Sequence, residues 1–146
     1  MKGKCLAIAM ATLVLGLAPQ MARAQTLKAS ASINKARAKG DLGVVVSESG
    51  LAAKQAVSYS LTAYAGAVYT CNGVAQPQVG GPEEVDFGMT ASSKGVTRDT
   101  VVVMVPESPC DIGQTSKMTQ ASYSNVTVTD ITDGVSIALG DYAASF

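Results

Sequence analysis

The sequence predicts an all-β protein, an immunoglobulin-like antiparallel β-sandwich of about seven or eight strands behind a cleaved signal peptide. Three observations point there. Apolar and polar residues alternate with a period of two along much of the chain, as half-buried strands require. Turn signals built from Gly, Pro, Asn and Asp recur at short spacing, with no long apolar stripe at helical spacing between them. Two cysteines, Cys71 and Cys110, fall at distant strands and would tie them together. The chain contains no Trp, so the core tryptophan of true immunoglobulin domains is missing, and a jelly roll or small barrel is the alternative architecture.

Residues 1–24 have the layout of a secretory signal peptide. Lys2 and Lys4 precede an apolar run over 5–18, then Pro19 and the small-residue site Ala22-Arg23-Ala24, after which cleavage is expected. The run is too short and wrongly flanked for a stable membrane span, and no second one follows, so no membrane insertion is expected after cleavage. Residues 25–146 then form one expected domain, long enough for a core but not for two domains. Cleavage removes Lys2, Lys4 and Arg23, leaving eight basic residues against eleven acidic ones, a net charge of −3. A weakly acidic chain is a poor partner for nucleic acid or anionic lipid. Cys5 opens the apolar run and does not follow it, so it is not placed to accept a lipid. Cys71 and Cys110 remain as an even pair in an exported chain, which reads as a disulfide and a secreted or periplasmic location.

The elements follow in order. Residues 26–33 alternate, with Leu27, Ala29, Ala31 and Ile33 on one side, and read as a first strand. Lys35, Arg37 and Lys39 make a solvated connection into the Gly40-Asp41 turn, with room for a single helical turn over 34–39. Val44, Val45 and Val46 suit a buried strand over 43–49, and 50–54 is a loop. The strongest element is 57–71, in which Val57, Tyr59, Leu61, Ala63, Ala65, Ala67, Tyr69 and Cys71 share one face, ending at the Asn72-Gly73 turn. Residues 72–82, with Pro77, Gly80, Gly81 and Pro82, read as irregular surface chain.

Residues 83–91 alternate again, with Val85, Phe87 and Met89 inward, and 92–95 is a turn. The run 101–105, the most apolar stretch after the leader, reads as the heart of a central strand over 96–105. Residues 106–113, with two prolines and Cys110, form a rigid loop. The strand over 117–129 places Ala121 and Tyr123 on one parity but Val126 and Val128 on the other, which implies a bulge near Ser124-Asn125. Asp133-Gly134 signals a hairpin, residues 134–139 supply the returning strand, and 140–146 can extend it.

Three segments carry a resemblance. Tyr69-Thr70-Cys71-Asn72-Gly73 with Pro77, Cys110-Asp111-Ile112-Gly113-Gln114, and the run from Ser122 through Asn125 to Asp130 resemble a group of small exported bacterial proteins of uncharacterised function. The likeness covers roughly residue 63 to the C-terminus. Members of that group tend to have a second glycine after the Asn-Gly and a proline after the second cysteine, where Val74 and Asp111 stand here. The resemblance implies secretion, the disulfide and a β-sandwich; it implies no activity.

With no histidine in the chain, the usual general base, the Ser-His and Cys-His arrangements and most zinc sites are excluded. Oxidised cysteines remove thiol nucleophiles and thiolate ligands. Ser32-Ile33-Asn34-Lys35 matches a Ser-x-x-Lys string without its companion motifs, so it reads as chance. The paired carboxylates Glu84 with Asp86 and Asp130 with Asp133 are the calcium or glycosidase candidates, but neither pair has a patterned ligand spacing, and no metal or cofactor is expected. Asn125-Val126-Thr127 would be a glycosylation sequon only in a eukaryotic secretory pathway, and the leader is bacterial in style. Tyr59 and Tyr69 belong to the core face, which leaves Tyr64 and Tyr142 as surface aromatics for a glycan.

The sequence therefore assigns no catalytic and no ligand-binding residue. It reads as an exported, non-enzymatic module with a binding, adhesion or structural role at or outside the cell envelope, its partner a protein or glycan at the cell surface. Self-assembly by donation of the first strand is one version, with an ordinary first strand as its rival. The alternatives are a carboxylate-dependent polysaccharide-active enzyme and an inhibitor that presents residues 106–110 to a secreted hydrolase.

Overall fold

The protein is described by a computed structural model covering residues 24–36 and 39–146; the expected leader over 1–24, save Ala24, and Arg37 lie outside the described residues. Among the described residues eight strands follow one another: β1 (Thr26–Ile33), β2 (Leu42–Ser49), β3 (Ala56–Cys71), β4 (Val74–Ala75), β5 (Val79–Thr90), β6 (Val96–Val103), β7 (Ser116–Asp130) and β8 (Val135–Ser145). Two antiparallel sheets pack face to face. One has the order β1-β2-β6; in the other β3 lies between β7, which leads on to β8, and an edge shared by β4 and β5. At the margins β8 lies against β1 and β5 against β6. This is a β-sandwich of immunoglobulin-like order, with β3 and β7 at the centre of the larger sheet. No helix among the described residues is long and apolar enough to cross a membrane.

Alternation along β3 explains most of the core. All eight odd-numbered residues from Val57 to Cys71 are buried, while Ser58, Thr62 and Tyr64 on the other parity are exposed. All of the eight but Cys71 meet Leu42, Val44 and Val46 of β2, Val103 of β6, and Ala121, Tyr123, Val126 and Val128 of β7 in one apolar cluster. Three tyrosines carry polar atoms into it, and each hydroxyl finds an acceptor in the opposite sheet or its loops. Tyr59 donates to Glu48 Oε2 at 2.7 Å, Tyr69 to the Pro106 carbonyl at 2.6 Å, and Tyr123 to the Gly40 carbonyl at 2.9 Å. A buried hydroxyl left without a partner costs about 1–3 kcal/mol, so these bonds fix how the sheets sit on each other. Burial holds all three phenols above the ordinary tyrosine value, which keeps them donors.

The bulge expected near Ser124-Asn125 is present. The β7–β8 register shifts between Tyr123 and Val126, Asn125 takes φ +53°, and Asp141 Oδ1 accepts its backbone N–H at 2.9 Å. The extra residue turns Val126, Val128 and Asp130 inward where Ala121 and Tyr123 point inward before it. Beyond Asp133-Gly134, β8 runs on through the tail to Ser145, as the extension over 140–146 anticipated.

Two expectations fail. Residues 72–82 are not irregular throughout: β4 and the start of β5 lie there, and Val79 and Gly80 pair with Ala67 and Gly66. Gly80 serves close approach, since a Cβ there would collide with the Ala65 carbonyl oxygen. The strand containing the apolar run 101–105 is not central either. β6 pairs only with β2 and forms the edge of the three-stranded sheet, with Val102 exposed and Met104 beyond the strand exposed as well. A β-branched run satisfies an edge strand as well as a central one; the exposed Arg98 and Asp99 are the charges that guard such an edge. β1 pairs with β2 along all eight of its residues, the arrangement of an ordinary first strand.

The loop after β6 is braced at several points. Cys110 is joined to Cys71 at the end of β3, with Cα atoms 5.5 Å apart. Ser108 and Ser116 hydroxyls bond at 2.6 Å, Thr115 N–H donates to Asn72 Oδ1 at 2.9 Å, and Val105 N–H donates to Asp41 Oδ1 at 3.0 Å. The bridge spans a sequence separation of 39, for which the chain-entropy relation sets a ceiling of ~4 kcal/mol on its contribution. The double variant C71S/C110S is expected to keep its β-sheet circular dichroism while its denaturant midpoint falls by an amount within that ceiling.

Candidate functional site

Two places in the sandwich gather chemistry. The first lies inside, at the end opposite the disulfide. β2 places Leu42, Val44, Val46 and Glu48 on its inward parity, so Glu48 enters the core one step beyond the valines and is 1 % exposed. The bulge in β7 sets Asp130 inward after Val126 and Val128, and it is wholly buried. Asp133, in the turn between β7 and β8, is exposed; one carboxylate oxygen from each of these three residues lies within 4.8 Å of the others.

One oxygen of each buried carboxylate is satisfied. Glu48 Oε2 accepts from Tyr59; since that proton is committed, the Thr97 hydroxyl donates to the Tyr59 oxygen at 3.1 Å and itself accepts the Glu48 N–H at 3.2 Å. Asp130 Oδ1 accepts the N–H groups of Thr132 at 2.8 Å and Asp133 at 3.3 Å, an Asx-type turn that shapes the hairpin. Tyr59 is held in place by Phe87 of β5, with ring centroids 5.3 Å apart and planes 17° from parallel. The other two oxygens, Glu48 Oε1 and Asp130 Oδ2, are buried and have no hydrogen-bond partner. Desolvation pushes the Glu48 carboxyl above the usual carboxylate range. The Tyr59 hydrogen bond pulls it down, and the negative charges of Asp130 and Asp133 push it up again.

The second place is outside, on the solvent face of the larger sheet. A groove of about 410 Å³ is lined by Thr62, Tyr64, Pro82, Glu83, Glu84 and Asn125. Tyr64 is 50 % exposed there, and the β7 bulge sets Asn125 beside it. Glu84 is exposed, and its Oε1 accepts the Ser60 hydroxyl at 3.0 Å. Rows of hydroxyls continue the face, since Thr62 is paired with Thr127, Ser60 with Thr129, and Thr129 with Ser136. Tyr142 is different. It is partly buried against the core and donates to the Leu139 carbonyl at 3.3 Å, so of the two surface aromatics only Tyr64 is free.

The four carboxylates singled out from sequence thus separate. Asp130 and Asp133 come together, and Glu48 joins them; Glu84 and Asp86 are exposed on β5, Glu84 in the groove and Asp86 beyond its lining. Sequence reading missed Glu48, although a glutamate at the inward parity of a valine-rich strand was the available signal. It missed Asn125 as a groove residue as well, because only strand pairing brings it to Tyr64. No family model matches the chain, and no curated protein matches it.

The raised Glu48 value has a definite sign. The folded chain holds this proton to higher pH than the unfolded chain does, so folding is favoured most below the ordinary value of 4.5 and loses that contribution as pH rises through the raised one. With a chelator present, so that no cation competes with the proton, the thermal midpoint of E48Q is expected to rise relative to wild type as pH increases from acid to neutral. Parallel midpoints for the two proteins across that span would contradict the assignment.

Proposed function

We propose that the protein is an exported, non-enzymatic β-sandwich module that binds a glycan at or outside the cell envelope, using the outer face of β5, β3 and β7. The observation that carries this reading is the half-exposed Tyr64 standing in a groove between the Glu84 carboxylate and the Asn125 amide. An aromatic ring offers an apolar surface to the C–H face of a sugar, while Glu84 and Asn125 offer acceptors and donors to its hydroxyls. The volume falls within the usual range of ligand sites, and the hydroxyl rows beside it extend the polar surface along a chain-like ligand. Export is supported by the leader pattern over residues 1–24, by the disulfide, and by the resemblance to small exported bacterial proteins.

The test is affinity electrophoresis against a panel of bacterial and plant polysaccharides, with Y64A beside wild type. Retardation of wild type by at least one polysaccharide, weakened about tenfold in Y64A at an unchanged thermal midpoint, is the expected result. Tyr64 projects to solvent, so its removal leaves the core intact. Equal retardation of both proteins, or none across the panel, would refute the reading. Glu83 and Glu84 also line the groove, so release of reducing ends from a bound polysaccharide, lost in E84Q, would replace binding with the hydrolase alternative.

A further inference from the structure

Glu48, Asp130 and Asp133 converge from three separate segments: the end of β2 in one sheet, the end of β7 in the other, and the turn that follows β7. Two of the three are buried, and each of those keeps one oxygen, Glu48 Oε1 and Asp130 Oδ2, without a hydrogen-bond partner. Burying one unpaired carboxylate oxygen is costly, and burying two beside each other is more so, because their charges repel. A positive partner relieves both at once, and the repulsion between them with it. A proton shared between Glu48 and Asp130 would serve those two but give Asp133 no part.

We infer that this cluster binds one calcium ion. Oxygens held by a single calcium at about 2.4 Å are at most about 4.8 Å apart, a separation that the three carboxylates meet, so a small side-chain adjustment brings all three onto one ion. The donors are all hard oxygen; the chain has no histidine, and the disulfide lies at the other end of β3, which selects against zinc and copper. Magnesium demands a near-ideal octahedron and sheds water reluctantly, whereas three carboxylates from unrelated segments suit the larger, irregular calcium shell. The exposed side at Asp133 leaves room for water to complete the coordination. The ion would join the two sheets at the end where no covalent link does so. It stands apart from the Tyr64 groove, and its failure would leave the glycan reading untouched.

The experiment uses the mature protein recovered from producing cells, stripped with a chelator and titrated with calcium chloride by calorimetry at neutral pH, with thermal midpoints read before and after. One saturable site per chain is expected, with a dissociation constant of about 10⁻³ M or tighter, as in extracellular calcium modules, and a raised midpoint. D133N changes an exposed residue and is expected to fold as wild type while binding at least about tenfold more weakly. E48Q is expected to abolish binding. No binding heat with an unchanged midpoint in wild type would overturn the site in favour of the shared proton. D133N binding as wild type would place the ion elsewhere, and magnesium binding as tightly as calcium would overturn the choice of metal.

Discussion

The hydrogen bond from Tyr59 to Glu48 crosses the sandwich and at the same time holds an ionisable group inside it. Apolar packing between sheets is non-directional, so it favours contact without choosing an offset. A hydroxyl on β3 that must meet an acceptor on β2 does choose one, and Tyr69 and Tyr123 repeat the constraint farther along. The three bonds are spaced over the length of β3 and the facing part of β7, so sliding or rotating one sheet would strand several buried polar atoms at once. The cost of that displacement keeps the ends of β2 and β7 together, and with them the carboxylates of Glu48 and Asp130.

Much of this was legible in the sequence because the period of two is a local property. Parity alone identified the buried face of β3, and the parity break at Ser124-Asn125 located a bulge that the structure contains. Strand order is not local. The run 101–105 looks like the middle of a sheet by composition, yet β6 has a partner on one side only, and nothing in five consecutive apolar residues records how many neighbours they have. Gly80 misled for a related reason, since a glycine that lets two backbones approach and a glycine that opens a loop are the same letter.

The interior site was half visible. Asp130 and Asp133 stood out because they flank a turn, and that position hid the more informative fact that Asp130 follows Val126 and Val128 on the inward parity. Glu48 likewise continues the series of Leu42, Val44 and Val46. Two acids at inward positions of two strands carry a clear signal once the strands are known to face each other; the pairing of the sheets supplies that, and no spacing along the chain does. On the outer face the same holds for Tyr64 and Asn125, which are sixty-one positions apart in sequence and neighbours across the β3–β7 ladder.

The position of the Cys71–Cys110 bridge also sets how the domain answers a mechanical load. A pull applied through β1 and β8 can peel the outer strands, but the chain between the two cysteines is short-circuited by the sulfur bond. With 39 residues of separation, at roughly 3.4 Å each, that bond withholds on the order of 130 Å from the stretched length. The withheld segment contains β4, β5 and β6, so even a domain torn open at its margins keeps those strands within reach of the end of β3. Refolding after such an extension starts from a chain whose β3–β5 hairpin is still closed by the bridge, so only the pairings of β1, β2, β7 and β8 have to be found again by search.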